Sequence, residues 1–238
     1  MSTKGTGTEG LDHLFGRPTG RRNVGVAPAG QSSGALNPSL RDILRQFDDA
    51  NREAQRMVEG LSDRQFNWRP ASGRWSIAEC YGHLNIVGSE MLPVIDDAVA
   101  EARARAWYSN DAFRPRLVGR LLLKATEPPV RHRRRAREHH VPASDQFVKD
   151  VLPALVDLNR VLASRVQAAN GLDLSRPRVS APATTIFRLS LFELFLFLAA
   201  HGRRHLRQAR AVREHPLFPR APAGPEHGRP SSPAVPHR

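Results

Sequence analysis

The stretch Leu189–Glu214, LSLFELFLFLAAHGRRHLRQARAVRE, constrains the fold of this 238-residue chain more than any other. About three turns of apolar helix lead into His201 and His205. Residues four apart lie on one helical face, one turn above the other. Leu194, Phe197 and Leu198 share that face upstream, and Gln208 and Val212 share it downstream. The pair therefore falls on the buried side of an amphipathic helix. Two imidazoles at this spacing hold one metal ion through one nitrogen each, or they simply pack at the end of a core helix. A third histidine elsewhere shifts the balance towards metal.

Composition limits the setting. Lys and Arg number 36 against 23 Asp and Glu, a formal charge of +13, which raises nucleic acid or an anionic membrane as a partner. Much of the excess falls in one loop and in the termini, so it need not describe the core. Cys80 is the single cysteine, which excludes an internal disulfide. The N-terminus shows no apolar stretch followed by a cleavage site. The longest apolar run, 191–200, is interrupted by Glu193 and is shorter than the ~18 residues of a membrane helix. A soluble, cytoplasmic protein is expected.

Residues 1–36, rich in Gly, Ser, Thr and Arg, read as a disordered leader, and the Pro-rich stretch 216–238 as a disordered tail. Between them, 37–215 reads as one all-α domain. Asn37 caps and Pro38 opens a first helix over 38–60, with Leu40, Ile43, Leu44, Phe47, Ala50, Ala54, Met57 and Val58 at helical spacing. Ser76 and Glu79 form a capping box for a second helix over 77–106, expected to bend at Pro93. His83 shares its face with Cys80, Val87, Glu90 and Val94. That is the mixed face of a helix lining a polar interior site, or of one carrying a hydrogen-bonded core histidine.

Residues 107–142 form a long connection with a short helix over 115–125 and the run RHRRRAREHH at 131–140. Its five arginines are the strongest nucleic-acid hint in the chain. No aromatic residues interleave for base stacking and no recognition helix follows, so a solvated loop is the reading. His132, His139 and His140 are not counted as ligands. A third helix over 144–170 is expected to be capped by Ser144, with Phe147, Val151, Leu155, Leu158, Leu162 and Val166 inward; the fourth follows Ser190. Four such helices predict a four-helix bundle.

His83, His201 and His205 then lie on inward faces of two helices, and three imidazoles leave a coordination position open, as catalytic zinc sites require. Gly202 follows His201 where a metalloprotease helix carries Glu. A general base must come from elsewhere, and Glu90 is the candidate.

Two segments carry a family resemblance. LSDRQFNWRPASGRWSIAECYGHL at 61–84 resembles the first signature of the DinB/YfiT-like superfamily, and LFLFLAAHGRRHLRQARAVRE at 194–214 resembles the second, H-x3-H followed by L-x-Q. The resemblance covers about 38–214. It implies an up-up-down-down four-helix bundle, a homodimer, and a divalent metal, zinc or nickel, held at the positions of His83, His201 and His205. It also implies a small-molecule substrate, since relatives include thiol-dependent S-transferases, a mycothiol-dependent isomerase and metal-dependent hydrolases.

The expectation is an enzyme whose metal activates water or a low-molecular-weight thiol against a small electrophile. The competing readings are a bundle with a structural metal or none, and nucleic-acid association through the 131–140 loop. Glu79 reads as the cap partner of Ser76 or as a carboxylate behind a ligand. Gln208 reads as a hydrogen-bond partner near a ligand or as a polar residue leaving the core. Trp75 is expected to pack at the start of the second helix and Cys80 to be a buried thiol.

Overall fold

The computed structural model describes residues 35–127, 137–181 and 184–220, with backbone alone at 184–186. Arg133, Arg134, Arg135 and His132, the leader to residue 34 and the tail from 221 lie outside the described residues. Six helices and one hairpin follow in order: α1 (Pro38–Val58), α2 (Asp63–Phe66), α3 (Ile77–Ala104), α4 (Leu117–Thr126), a 3-10 turn at Glu138–His140, α5 (Val148–Ala168), β1 (Arg178–Ala181), β2 (Thr184–Ser190) and α6 (Leu191–Arg213).

The bundle is built from α1, α3, α5 and α6. Side-chain bonds fix the directions. Arg203, Arg210 and Arg213 of α6 reach Gln46, Glu53 and the Met57 carbonyl of α1, so these two helices run parallel. Asn85, Asp96 and Arg103 of α3 meet Val151, Arg165 and Ala168 of α5, again in parallel. Asn37 meets Asn170 while Asn51 meets Asn159, so α1 and α5 are antiparallel. The order is up-down-down-up, which corrects the up-up-down-down arrangement implied by the resemblance.

This order has a physical consequence. Parallel neighbours need a connection as long as the bundle, and α3 alone spans about 42 Å at 1.5 Å per residue. Residues 105–147 make that return. Its first part, α4, lies along α6, with Arg203 paired to Glu127. Its last part crosses α3. Gly82 makes the crossing close: a Cβ there would sit 2.6 Å from Gln146 Oε1 and 2.9 Å from Pro142 Cβ.

The helix limits differ from expectation in ways local chemistry explains. α5 starts at Val148 and not near Ser144, because Asp145 adopts φ 61° and the chain stays extended over α3. Asp63 Oδ1 accepts the Val148 N–H instead (2.8 Å). α3 keeps close to its expected limits and runs on through Pro93, whose exposed face tolerates the missing backbone bond. The hairpin, paired Arg178 to Ser190 and Val179 to Leu189, was not expected. Strands this short leave no readable alternation. The chain after Pro216 stays docked as far as Phe218, which is buried edge-on to Trp68.

Two apolar clusters fill the bundle. One holds Leu40, Phe47, Ile95, Leu162, Leu194 and Phe195, and the other holds Ala54, Phe66, Tyr81, Leu155, Leu206 and Val212. His201 and His205 fall between them along α6, and His83 lies among the second cluster's residues on α3.

Candidate metal centre

Both helices that carry the histidines start on the same device. Ser76 Oγ accepts the Glu79 N–H (3.1 Å) and the Glu79 carboxylate accepts the Ser76 N–H (2.8 Å). Ser190 and Glu193 repeat the box at α6 (3.2 and 2.8 Å). Satisfied end groups anchor each helix, so the side chains further along keep a fixed phase. Arg69 grips Glu79 through two nitrogens (2.8 and 2.7 Å). The hydrogen bonds of Glu79 therefore belong to the cap.

One ring nitrogen from each of His83, His201 and His205 lies within 4.8 Å of the others. Ring centroids are 4.6–5.1 Å apart. His83 and His205 are buried, while His201 keeps an open edge. His83 Nε2 and His201 Nε2 are 3.2 Å apart. Two nitrogens bound to one tetrahedral zinc at 2.0–2.1 Å would be about 3.3 Å apart.

A backbone carbonyl settles the state of His83. Its Nδ1–H donates to the His140 carbonyl oxygen (2.8 Å). In the neutral ring Nε2 then carries the lone pair, directed at His201. Burial lowers the pKa of all three rings, and the neighbouring imidazoles press those of His201 and His205 further down. His201 comes down to about 3 and His205 falls well below 6.5. All three are thus neutral near pH 7, the form that ligates metal. His205 Nδ1 is buried with no hydrogen-bond partner. Such orphans are uncommon unless an ion or water completes them. The donor set, the spacing and the orphaned nitrogen all fit a divalent ion of the zinc–nickel class.

The walls are aromatic. Trp75 stacks against His205 (5.6 Å, 27°) and leans on His83 (4.9 Å), so it does more than pack at the helix start. Phe197 stacks on His201 (5.4 Å, 26°). Gln208 is the polar side chain within reach of His205. Cys80 is fully buried, and desolvation pushes its thiol far up, so it stays protonated and unreactive.

At the rim, His140 is buried and its Nε2 meets Glu90 Oε2 at 2.7 Å. His139 packs beside it at a tilt of 59°, with ring centroids 4.1 Å apart. The sequence reading did not count His140. The only local signal was the His-His pair, and nothing in the chain ties residue 140 to residue 83 except the return crossing.

Residues 46–209 match the sequence profile of the DinB superfamily. The chain is also 22% identical over 175 residues to the uncharacterized protein YuaE of Bacillus subtilis (strain 168), a match covering 71% of this chain and 95% of that protein. No solved structure matches.

Proposed function

Since this chain belongs to the DinB superfamily, we propose that it is a metal-dependent enzyme in which His83, His201 and His205 hold one zinc or nickel ion. Its reactant is water or a low-molecular-weight thiol, and its substrate a small electrophile. The observation that carries this reading is the convergence of three neutral imidazoles, one with a buried orphan nitrogen, at the spacing of a shared ion. When bound, the ion supplies Lewis acidity and lowers the pKa of water or thiol at its open position.

The chain's own groups have separate tasks. The His140 carbonyl fixes the His83 tautomer. Trp75 and Phe197 exclude bulk water from two sides, which strengthens electrostatic interactions within. The open edge of His201 admits the reactant. Glu90 is tied to His140, so it steadies the crossing segment that carries this carbonyl.

Untagged protein analysed for metal tests the reading. About one ion per chain, lost in the alanine variants of the three histidines, is expected, together with turnover of small electrophiles that depends on the ion. Metal content far below this level and unchanged by those variants removes the reading. A metal that raises the melting temperature but leaves every thiol and hydrolysis assay silent makes the site structural. We place the protein in the cytoplasm and infer a homodimer; light scattering on the full chain checks the dimer. Among the described residues no helix is long and apolar enough to cross a membrane.

A further inference from the structure

We propose a second site for a divalent transition metal at the rim of the bundle, formed by Glu90, His139 and His140. One ligand atom from each lies within 4.8 Å of the other two. Two imidazoles and one carboxylate are a donor set that suits zinc, cobalt, nickel or iron and leaves positions for water. The three come from different constraints. Glu90 projects from α3 two turns beyond His83, and the two histidines come from the 3-10 turn that the crossing lays against α3.

The geometry needs little change to close on an ion. His140 Nε2 and Glu90 Oε2 are 2.7 Å apart, and ligands of a tetrahedral ion stand about 3.3 Å apart at bond lengths near 2.0–2.1 Å. The proton that His140 Nε2 donates to Glu90 must be released or pass to Nδ1, and the contact must open slightly. The third donor must move inward, and His139 is exposed and able to turn towards Glu90, which His140 already holds in place. His140 is the fixed member, buried at 4% exposure. Its backbone carbonyl serves His83 and its ring serves Glu90, so the ring can exchange a proton for an ion without disturbing the bond to His83. The inner site has three neutral ligands and no carboxylate. The rim site brings one negative charge to a dication, but it faces solvent, so the rim ion is held more weakly and exchanges faster.

The inference is independent of the catalytic reading and is tested on full-length, untagged, metal-stripped protein titrated with Zn2+ and with Co2+. Two classes of bound ion are expected. His139→Ala and Glu90→Gln each remove the weaker class and keep the tighter one. Glu90→Gln keeps a hydrogen-bonding side chain beside His140, and His139 is a surface residue, so both variants fold. A His201→Ala/His205→Ala variant loses the tighter class and keeps the weaker. In the Co2+ form, the weaker class shows a visible spectrum that differs from that of the inner ion. A wild type in which no class of bound ion is removed by His139→Ala or Glu90→Gln overturns the proposal, whether one class or two is seen. A second class that survives both changes does so by assigning the ion to other surface histidines. Failure of the inner site to bind metal overturns the enzyme reading and leaves the rim titration intact.

Discussion

The inner and rim clusters use the same ring under opposite electrostatics. His83, His201 and His205 are gathered with no carboxylate among them, and burial outweighs the distant pull of Glu90 on His83 and lowers the pKa of each ring. His140 is as deeply buried as His83, yet a half-exposed carboxylate stands against its ring. A buried polar atom without a partner costs about 1–3 kcal/mol. At the rim His140 Nε2 and Glu90 Oε2 satisfy each other, whereas the inner cluster leaves His205 Nδ1 unmet. An incomplete hydrogen-bond set inside a core points to a missing ligand more strongly than a complete one at a surface.

Removing an inner imidazole should break this contrast most severely. His205→Ala or His83→Ala is expected to lower metal affinity by more than the ~10–100-fold that outlying partners of a metal ligand typically control, and to abolish any metal-dependent turnover. Competition with a chromophoric chelator reads the first and steady-state assays the second. Next in size is removal of the ion itself. With metal at about a hundred times its Kd, binding to the folded state adds ~2.7 kcal/mol, so stripping it should lower Tm by about 5–10 °C in a chain of this size. Calorimetry with and without chelator measures it, and the same treatment of a triple-alanine variant should produce a much smaller shift, from the weakly held rim ion alone.

Acid should separate the clusters in another way. The inner rings have folded pKa values below 6.5, so between pH 6.5 and about 3 the unfolded chain binds more protons than the folded one. This contribution to stability is complete above pH 6.5 and is lost as pH falls through that window. Metal-free wild type should therefore lose Tm on acidification more steeply than the triple-alanine variant. Equal slopes would mean the inner rings are not desolvated.

A smaller effect joins the two clusters. His140→Ala keeps the carbonyl that His83 uses but frees the segment from Glu90, and inner-site affinity should fall by roughly tenfold. Gly82→Ala is the smallest. Overpacking against Pro142 and Gln146 costs about 1–3 kcal/mol, offset by ~1 kcal/mol of helix propensity. A net loss of about 1 kcal/mol in denaturant melts is expected, with a modest weakening of metal binding. An unchanged or stabilised Gly82→Ala protein would show that the crossing is not tightly seated.

Much was legible in the order of residues alone. Local rules act over a few positions, so the caps at Asn37, Ser76 and Ser190, the apolar stripes and the shared face of His201 and His205 could be read directly. The convergence of His83 on that pair was expected from the inward phase of two helices, and the structure brings the three rings together. The direction of each helix, the hairpin before α6 and the arrival of residue 140 beside residue 83 depended on contacts between segments far apart in the chain. They follow from how the bundle closes: two parallel neighbours force a long return, and Gly82 lets that return lie close enough for one carbonyl to orient one imidazole. Sequence periodicity determined which faces are buried. Only the packed bundle decided which loop covers them, because that choice rests on distance in space, where a chain's local preferences carry no information.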